Sequence, residues 1–252
     1  IALHSEDIWI VLDAFHHLDD CEQVLELIDY LARRMPPNCR LLLATRTHPA
    51  LPSLARLRLS GDVTELGPSD LAFTADEIKQ FYDLNRERPV SDDEVSRITA
   101  LTEGWPAGVA LMGDPASLGE ARRETPLELS DYLASEVFGR LPQDLRRFLL
   151  WTSVFDNLEA EGCDAVLQEE GARRHLEFIE KHNVPVFRVE GAAAEHRVHP
   201  LFRDFLRASL RSEDPGLWAE LSRRAGAWQA SRGRFNEGIW HFVQGKDWDQ
   251  AA

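Results

Sequence analysis

Two short apolar runs, each closed by a charged residue, constrain this chain most. They are Ile8-Trp9-Ile10-Val11-Leu12-Asp13 and Arg40-Leu41-Leu42-Leu43-Ala44-Thr45-Arg46. A continuous apolar run reads as a strand buried in a parallel sheet, and function gathers where such strands emerge. Between the runs lies a helical pattern near Asp20–Arg34, with Val24, Leu27, Ile28 and Leu31 at helical spacing. Met35-Pro36-Pro37-Asn38 stops it. Strand, helix, strand implies parallel pairing, because parallel strands need a crossover. The first strand presents the carboxylate of Asp13 at its carboxyl end, and the second presents the guanidinium of Arg46.

This pair looks like the metal-binding Walker B strand and the phosphate-sensing strand of a P-loop NTPase. The glycine-rich phosphate loop does not precede them. Gly245-Lys246 is followed by Asp247 and has Trp240 where the first glycine of that motif belongs. Ile1 is not a start residue, so the chain reads as a piece that begins partway through a nucleotide-binding domain.

Beyond Arg46 the pattern changes. Pro49–Leu59 interleaves Leu51, Leu54, Ala55 and Leu57 with Arg56 and Arg58, and Val63–Leu66 is expected to form a short third strand. Thr74-x-x-Glu77 and Ser91-x-x-Glu94 are capping boxes, predicted to open helices that run to about Leu84 and Leu101. Thr125-Pro126-x-Glu128 opens a helix carrying Leu129, Leu133, Val137 and Leu141. Leu145–Trp151 and Cys163–Leu167 continue the helical stretch. Val184–Val189 and His196–Val198 read as a hairpin with Gly191 in its turn, and His199-Pro200 opens a helix over Leu201–Leu210. Helix, helix, hairpin, helix is a winged-helix arrangement. Leu217–Ser231 and Asn236–Gln244 are amphipathic helices parted by Gly233, and Trp248 begins another element. One helix pair buries its face poorly alone, so a repeat array is expected to continue.

Composition excludes several functions. With 252 residues, one large or two to three small domains are expected. No apolar run approaches the ~20 residues needed to span a bilayer. Cys21, Cys39 and Cys163 contain no C-x-x-C pair, which argues against a disulfide framework or structural zinc and fits a reducing cytoplasm. The net charge of −15 repels nucleic-acid phosphates and counts against direct DNA binding by the winged helix. His16, His17, Asp19 and Asp20 match no zinc spacing, and His196-x-x-His199 lies on a β-type segment rather than a helix face. Trp105, Trp151, Trp218, Trp228, Trp240 and Trp248 are expected as packing residues.

In this order the residues resemble a known family. Val11-Leu12-Asp13-Ala14-Phe15-His16, Ala44-Thr45-Arg46-Thr47-His48-Pro49 and Leu71-Ala72-Phe73-Thr74-x-x-Glu77 come first. Thr102-Glu103-Gly104-Trp105-Pro106-Ala107-Gly108 and Thr152-Ser153-Val154 follow, then His196-Arg197-Val198-His199-Pro200-Leu201-Phe202-Arg203-Asp204-Phe205-Leu206 and Gly245-Lys246-Asp247-Trp248. Together they are similar to the MalT-like signal-transducing NTPases, LuxR-group regulators of the AAA+-related STAND class. The resemblance covers nearly the whole chain.

It implies an α/β nucleotide-binding core with a partial parallel sheet over residues 1–68. A mainly helical lid over 69–124, a winged-helix domain over 125–211 and the start of a TPR-like helical repeat over 212–252 would follow. Family members carry a P-loop upstream and a DNA-binding domain downstream. They rest as ADP-bound monomers, and an inducer (a small molecule or a protein) with ATP converts them to oligomers. The resemblance makes Asp13 a Mg²⁺-holding and nucleotide-binding residue and Arg46 the γ-phosphate sensor. Pro106 would pack near adenine, and His199 would clamp the ADP β-phosphate. No catalytic residue is assigned. Ala14 stands where the family usually has a second acidic residue, so the chain would be at most a slow ATPase. The other expectation is a nucleotide-independent interaction scaffold with a degenerate NTPase.

Overall fold

Strands β1 (Ile8–Leu12) and β2 (Cys39–Leu43) pair in parallel, from Ile8 opposite Cys39 to Leu12 opposite Leu43. In this computed structural model the described residues are 7–85, 89–113, 126–182, 184–189 and 195–251. They divide into two compact units at Gly67–Pro68, with Lys181 and His182 grouped with the first.

In the first unit, helix α1 (Glu22–Arg33) makes the crossover between the strands. Phe15, Leu25, Ile28 and Leu51 form its small core, with Leu12, Leu41 and Leu43 packed against them. Only alternate strand residues turn inward. Trp9 and Val11 are 62% and 59% exposed, so the apolar runs are not covered on both faces by described residues. Helix α2 (Leu54–Ser60) ends at Gly61, whose φ of 76° lies in the left-handed region. The expected strand over Val63–Leu66 does not form. Arg58 instead draws Glu65 back onto α2 through Nε at 2.9 Å, and nothing in the described residues offers that segment a ladder.

The second unit begins with α3 (Pro68–Leu71), α4 (Ala75–Asn85), α5 (Asp92–Thr102) and α6 (Pro106–Leu111). Both capping boxes form. Glu77 accepts from Thr74 N–H at 2.8 Å, and Glu94 accepts from Ser91 N–H at 2.9 Å. Ile78, Tyr82, Val90, Val95, Ile98 and Val109 make one apolar cluster.

Helix α7 (Leu127–Tyr132) has Pro126 as its N-cap rather than its first residue, and Thr125 lies outside the described residues. It continues as a π turn over Leu133–Val137 and a 3-10 turn over Phe138–Arg140, which leaves Leu141 extended rather than helical. Next come α8 (Gln143–Thr152), β3 (Asn157–Glu159), α9 (Ala160–Leu167), α10 (Ala172–Lys181), β4 (Val186–Arg188), β5 (Glu195–Val198) and α11 (Pro200–Glu213). The sheet order is β3-β5-β4, antiparallel throughout. The hairpin strands form as expected, while Gly191 lies outside the described residues.

Helices α12 (Pro215–Ser231), α13 (Phe235–Gln244) and α14 (Trp248–Ala251) complete the unit. A Cβ on Gly226 would sit 2.8 Å from the Phe242 ring, so glycine sets the α12–α13 approach. Trp218 is buried, Trp240 packs its ring against His241 at 4.8 Å between centroids while 41% exposed, and Trp248 is 64% exposed. Among the described residues no helix is long and apolar enough to cross a membrane.

Candidate functional site

The first unit places Asp13 and Arg46 on one edge of the sheet. Pairing continues past the strands: Ala44 N–H donates to Leu12 O at 2.9 Å and Phe15 N–H to Ala44 O at 2.9 Å. Asp13 therefore stands beside Ala44, and Arg46 lies two residues further on. Both side chains are exposed. Ala14 takes a left-handed conformation, φ 52°, and its N–H donates to Asp13 Oδ1 at 2.7 Å. The carboxylate is thus oriented by the backbone. An exposed carboxylate of this kind fits Mg²⁺, which takes hard oxygen donors and keeps much of its water.

Asp19 anchors the loop that carries Arg46. Thr47 Oγ1 donates to Asp19 Oδ2 at 2.6 Å, and Thr45 Oγ1 donates to Thr47 O at 3.0 Å. Asp19 is therefore a loop anchor rather than part of a metal cluster with His16 and His17. Arg58 is committed to Glu65, whereas Arg56 is exposed.

The second unit brings the turn before Pro106 against the β5–α11 junction. Thr102 O accepts from Trp105 N–H at 2.8 Å and from His199 Nε2–H at 3.0 Å. His199 Nδ1 accepts from Leu201 N–H at 3.3 Å, capping α11. One nitrogen accepts from a backbone amide and the other faces a carbonyl, which fixes the tautomer with the proton on Nε2. His199 is 5% exposed, and its burial pushes its pKa below the usual histidine value, so the ring is neutral. The edge of the Trp105 ring meets His199 at 5.7 Å between centroids. Pro106 follows Trp105 and opens α6.

Beside this contact, Arg197 forms a two-pronged ion pair with Glu103, Nη2 to Oε2 at 2.9 Å. The Arg197 guanidinium holds the Glu103 carboxyl below its usual range. His196, one residue earlier on β5, bonds Glu180 at 2.8 Å, so His196 and His199 serve different partners. Motif reading includes Glu103 and Arg197 in its matching stretches but assigns neither a role. They are 94 positions apart, and opposite charge alone does not select one pair among many.

Comparison with known proteins finds HTH-type transcriptional regulator MalT of Klebsiella pneumoniae subsp. pneumoniae 28% identical over 256 residues, covering 98% of this chain and 28% of that protein. MalT of Serratia proteamaculans is 30% identical over 225 residues, covering 84% of this chain and 25% of that protein. The family described as the MalT winged helix domain matches residues 134–218. The chain is MalT-like. Its winged helix comprises α8 to α11 with the β3-β5-β4 sheet, and His199 lies inside the matched region. A solved STAND protein with a tetratricopeptide repeat sensor, from Pyrococcus horikoshii, is similar at a TM-score of 0.40 and 19% identity, covering 94% of this chain and 33% of that one. The MalT-like chain spans under a third of the length of these relatives.

Proposed function

We propose that this chain is part of a nucleotide-dependent signal-transduction switch in a MalT-like transcriptional regulator. The observation that carries the reading is the shared edge of β1 and β2. There Asp13 and Arg46 follow the carboxyl ends of two parallel strands, the position at which open α/β sheets handle ligands.

In this reading residues 1–68 belong to the nucleotide-binding core, 69–124 to the lid, 125–211 to the winged-helix domain and 212–252 to a TPR-like sensor. Asp13 holds Mg²⁺, which would offset the charge of the nucleotide phosphates. Arg46 reads the γ-phosphate, because its planar fork stays charged and matches phosphate geometry. Pro106 lies near the adenine, and His199 takes the β-phosphate of ADP. ADP favours a closed monomer, while ATP and a small-molecule or protein inducer favour an open, self-associating form. DNA is contacted through a further domain, and the protein works in the cytoplasm. Ala14 offers no acceptor for a proton of water, so hydrolysis is slow at most, and the switch depends on which conformation each nucleotide favours.

The test is equilibrium binding of ADP and ATP to the complete protein that carries this chain, with and without Mg²⁺. Asp13→Ala should weaken Mg²⁺-dependent ATP binding at least tenfold, and His199→Ala should weaken ADP binding. A folded wild-type protein that binds neither nucleotide would falsify the switch. It would leave the second reading, an interaction scaffold, which the Ala14 substitution favours.

A further inference from the structure

The two ring nitrogens of His199 are both engaged inside the protein. Nδ1 caps α11 at Leu201, and Nε2–H is given to Thr102 O. The ring is buried, with Trp105 and Phe187 set edge-on at 5.7 and 6.3 Å between centroids. In this arrangement His199 has no N–H to offer a phosphate. Its only ring proton is committed to a carbonyl in the turn between α5 and α6.

That turn is itself held. Glu103 adopts φ 50°, a left-handed conformation that is strained for a residue with a Cβ. Its side chain reaches across to Arg197 on β5, two residues before His199. Next to it, Gly108 of α6 lies so close to the winged helix that a Cβ would be 3.1 Å from Leu201 Cδ1. The segment Thr102–Gly108 and the junction Arg197–Leu201 are therefore joined by one ion pair, one imidazole bond and one tight apolar contact.

We propose that the Glu103–Arg197 pair is a latch that opposes capture of ADP: it holds the α5–α6 turn against the winged helix and so keeps the N–H of His199 on Thr102 O and away from nucleotide. That His199 would serve a phosphate rests on the switch reading above; the latch itself rests on contacts within the second unit alone. Glu103 and Arg197 act through His199 and are positioning residues. Opening the pair frees the turn, Thr102 O releases the imidazole, and the same N–H becomes the donor for a phosphate oxygen. Latch and nucleotide thus compete for one hydrogen bond.

The test has two arms, both in the complete protein. The first measures backbone hydrogen exchange without nucleotide at Trp105, Val109 and Arg203, whose amides bond Thr102 O, Trp105 O and His199 O. Glu103→Gln and Arg197→Gln should each speed exchange there by about threefold to fivefold, the scale of a half-exposed ion pair. The charge swap Glu103→Arg with Arg197→Glu should restore protection. The second arm measures ADP binding: Glu103→Gln should tighten it severalfold, and adding His199→Ala should abolish the gain. Unchanged exchange in both single variants, or no recovery in the swap, overturns the latch. Faster exchange with unchanged or weaker ADP binding overturns its masking role. Failure of the wild type to bind ADP overturns the switch reading and the masking role with it, while the exchange arm alone still decides whether the latch exists.

Discussion

The amide of Phe73 donates to the carbonyl of Gly104 at 2.7 Å, and the Phe73 carbonyl lies where a side chain on Gly104 would begin. Gly104 also has φ +77°. Two independent constraints therefore demand glycine at the turn that presents Trp105 and Pro106.

Gly104→Ala should cost about 2–4 kcal/mol, combining the left-handed backbone with a clash against main chain that has no flexible end to yield. Gly233→Ala provides the comparison, because Gly233 has the same φ of +77° with nothing within 4 Å of its Cβ position. It should cost only about 1 kcal/mol. Urea unfolding of the two variants measures the difference, and equal losses would refute the steric part of the argument.

Stability should fall with acid in a window set by buried histidines. Burial pushes His241 down to about 4, helped by Arg207 and opposed by Asp156 and Glu237. Burial also lowers His199. In the unfolded chain both titrate near ~6.5. Below that value the unfolded state binds protons that the native state refuses, so stability is complete above about 6.5 and is lost as pH falls towards about 4. The His241 share is on the order of 3 kcal/mol. Urea midpoints followed down through this range should drop steeply in the wild type and less so in His241→Gln. A slope that His241→Gln leaves untouched would contradict this origin. The carboxyl of Glu103, held low by Arg197, adds a loss of the same sign at lower pH.

Asp13 and Asp19 separate a candidate ligand-handling carboxylate from a structural one. Asp13 is exposed and accepts from the next amide, so Asp13→Ala should change stability by less than about 0.5 kcal/mol. Asp19→Ala strips Thr47 of its acceptor and should cost about 1–2 kcal/mol. Thermal melting of the two variants side by side checks both values, and a large loss on Asp13→Ala would assign it to the fold.

Much of this arrangement was legible in residue order, because it is local. The β1–α1–β2 unit, both capping boxes, the β4–β5 hairpin strands and the Pro200 start of α11 each declare themselves in a contiguous stretch of sequence. Strand β3 did not. It has three residues, with Leu158 the only buried one, too few for an alternating pattern. Helix α10 declares itself weakly although Ala172, Leu176 and Ile179 are buried along it, because charged residues between them dilute the apolar signal. Val63–Leu66 had strand composition but no partner strand among the described residues. At the site, His199 and Pro106 stood out individually. The bond from His199 to Thr102 O in the turn before Pro106, and the tie between Glu103 and Arg197, depend on tertiary contacts that no periodicity encodes.

Helix α11 begins at the residue after His199 and runs for 14 residues, a rigid rod about 21 Å long. Its far end is gripped too: the Arg211 guanidinium lies 4.1 Å from the centre of the Trp218 ring on α12, and Arg211 also reaches Gln244 on α13. A rod held at both ends would carry any tilt at the imidazole along its whole length. A tilt of about 10° at Pro200 would carry the distal end by about 4 Å. Were the latch proposed above to open, a change of hydrogen-bond acceptor at one end of the rod would be felt at the other, where Trp218 sits.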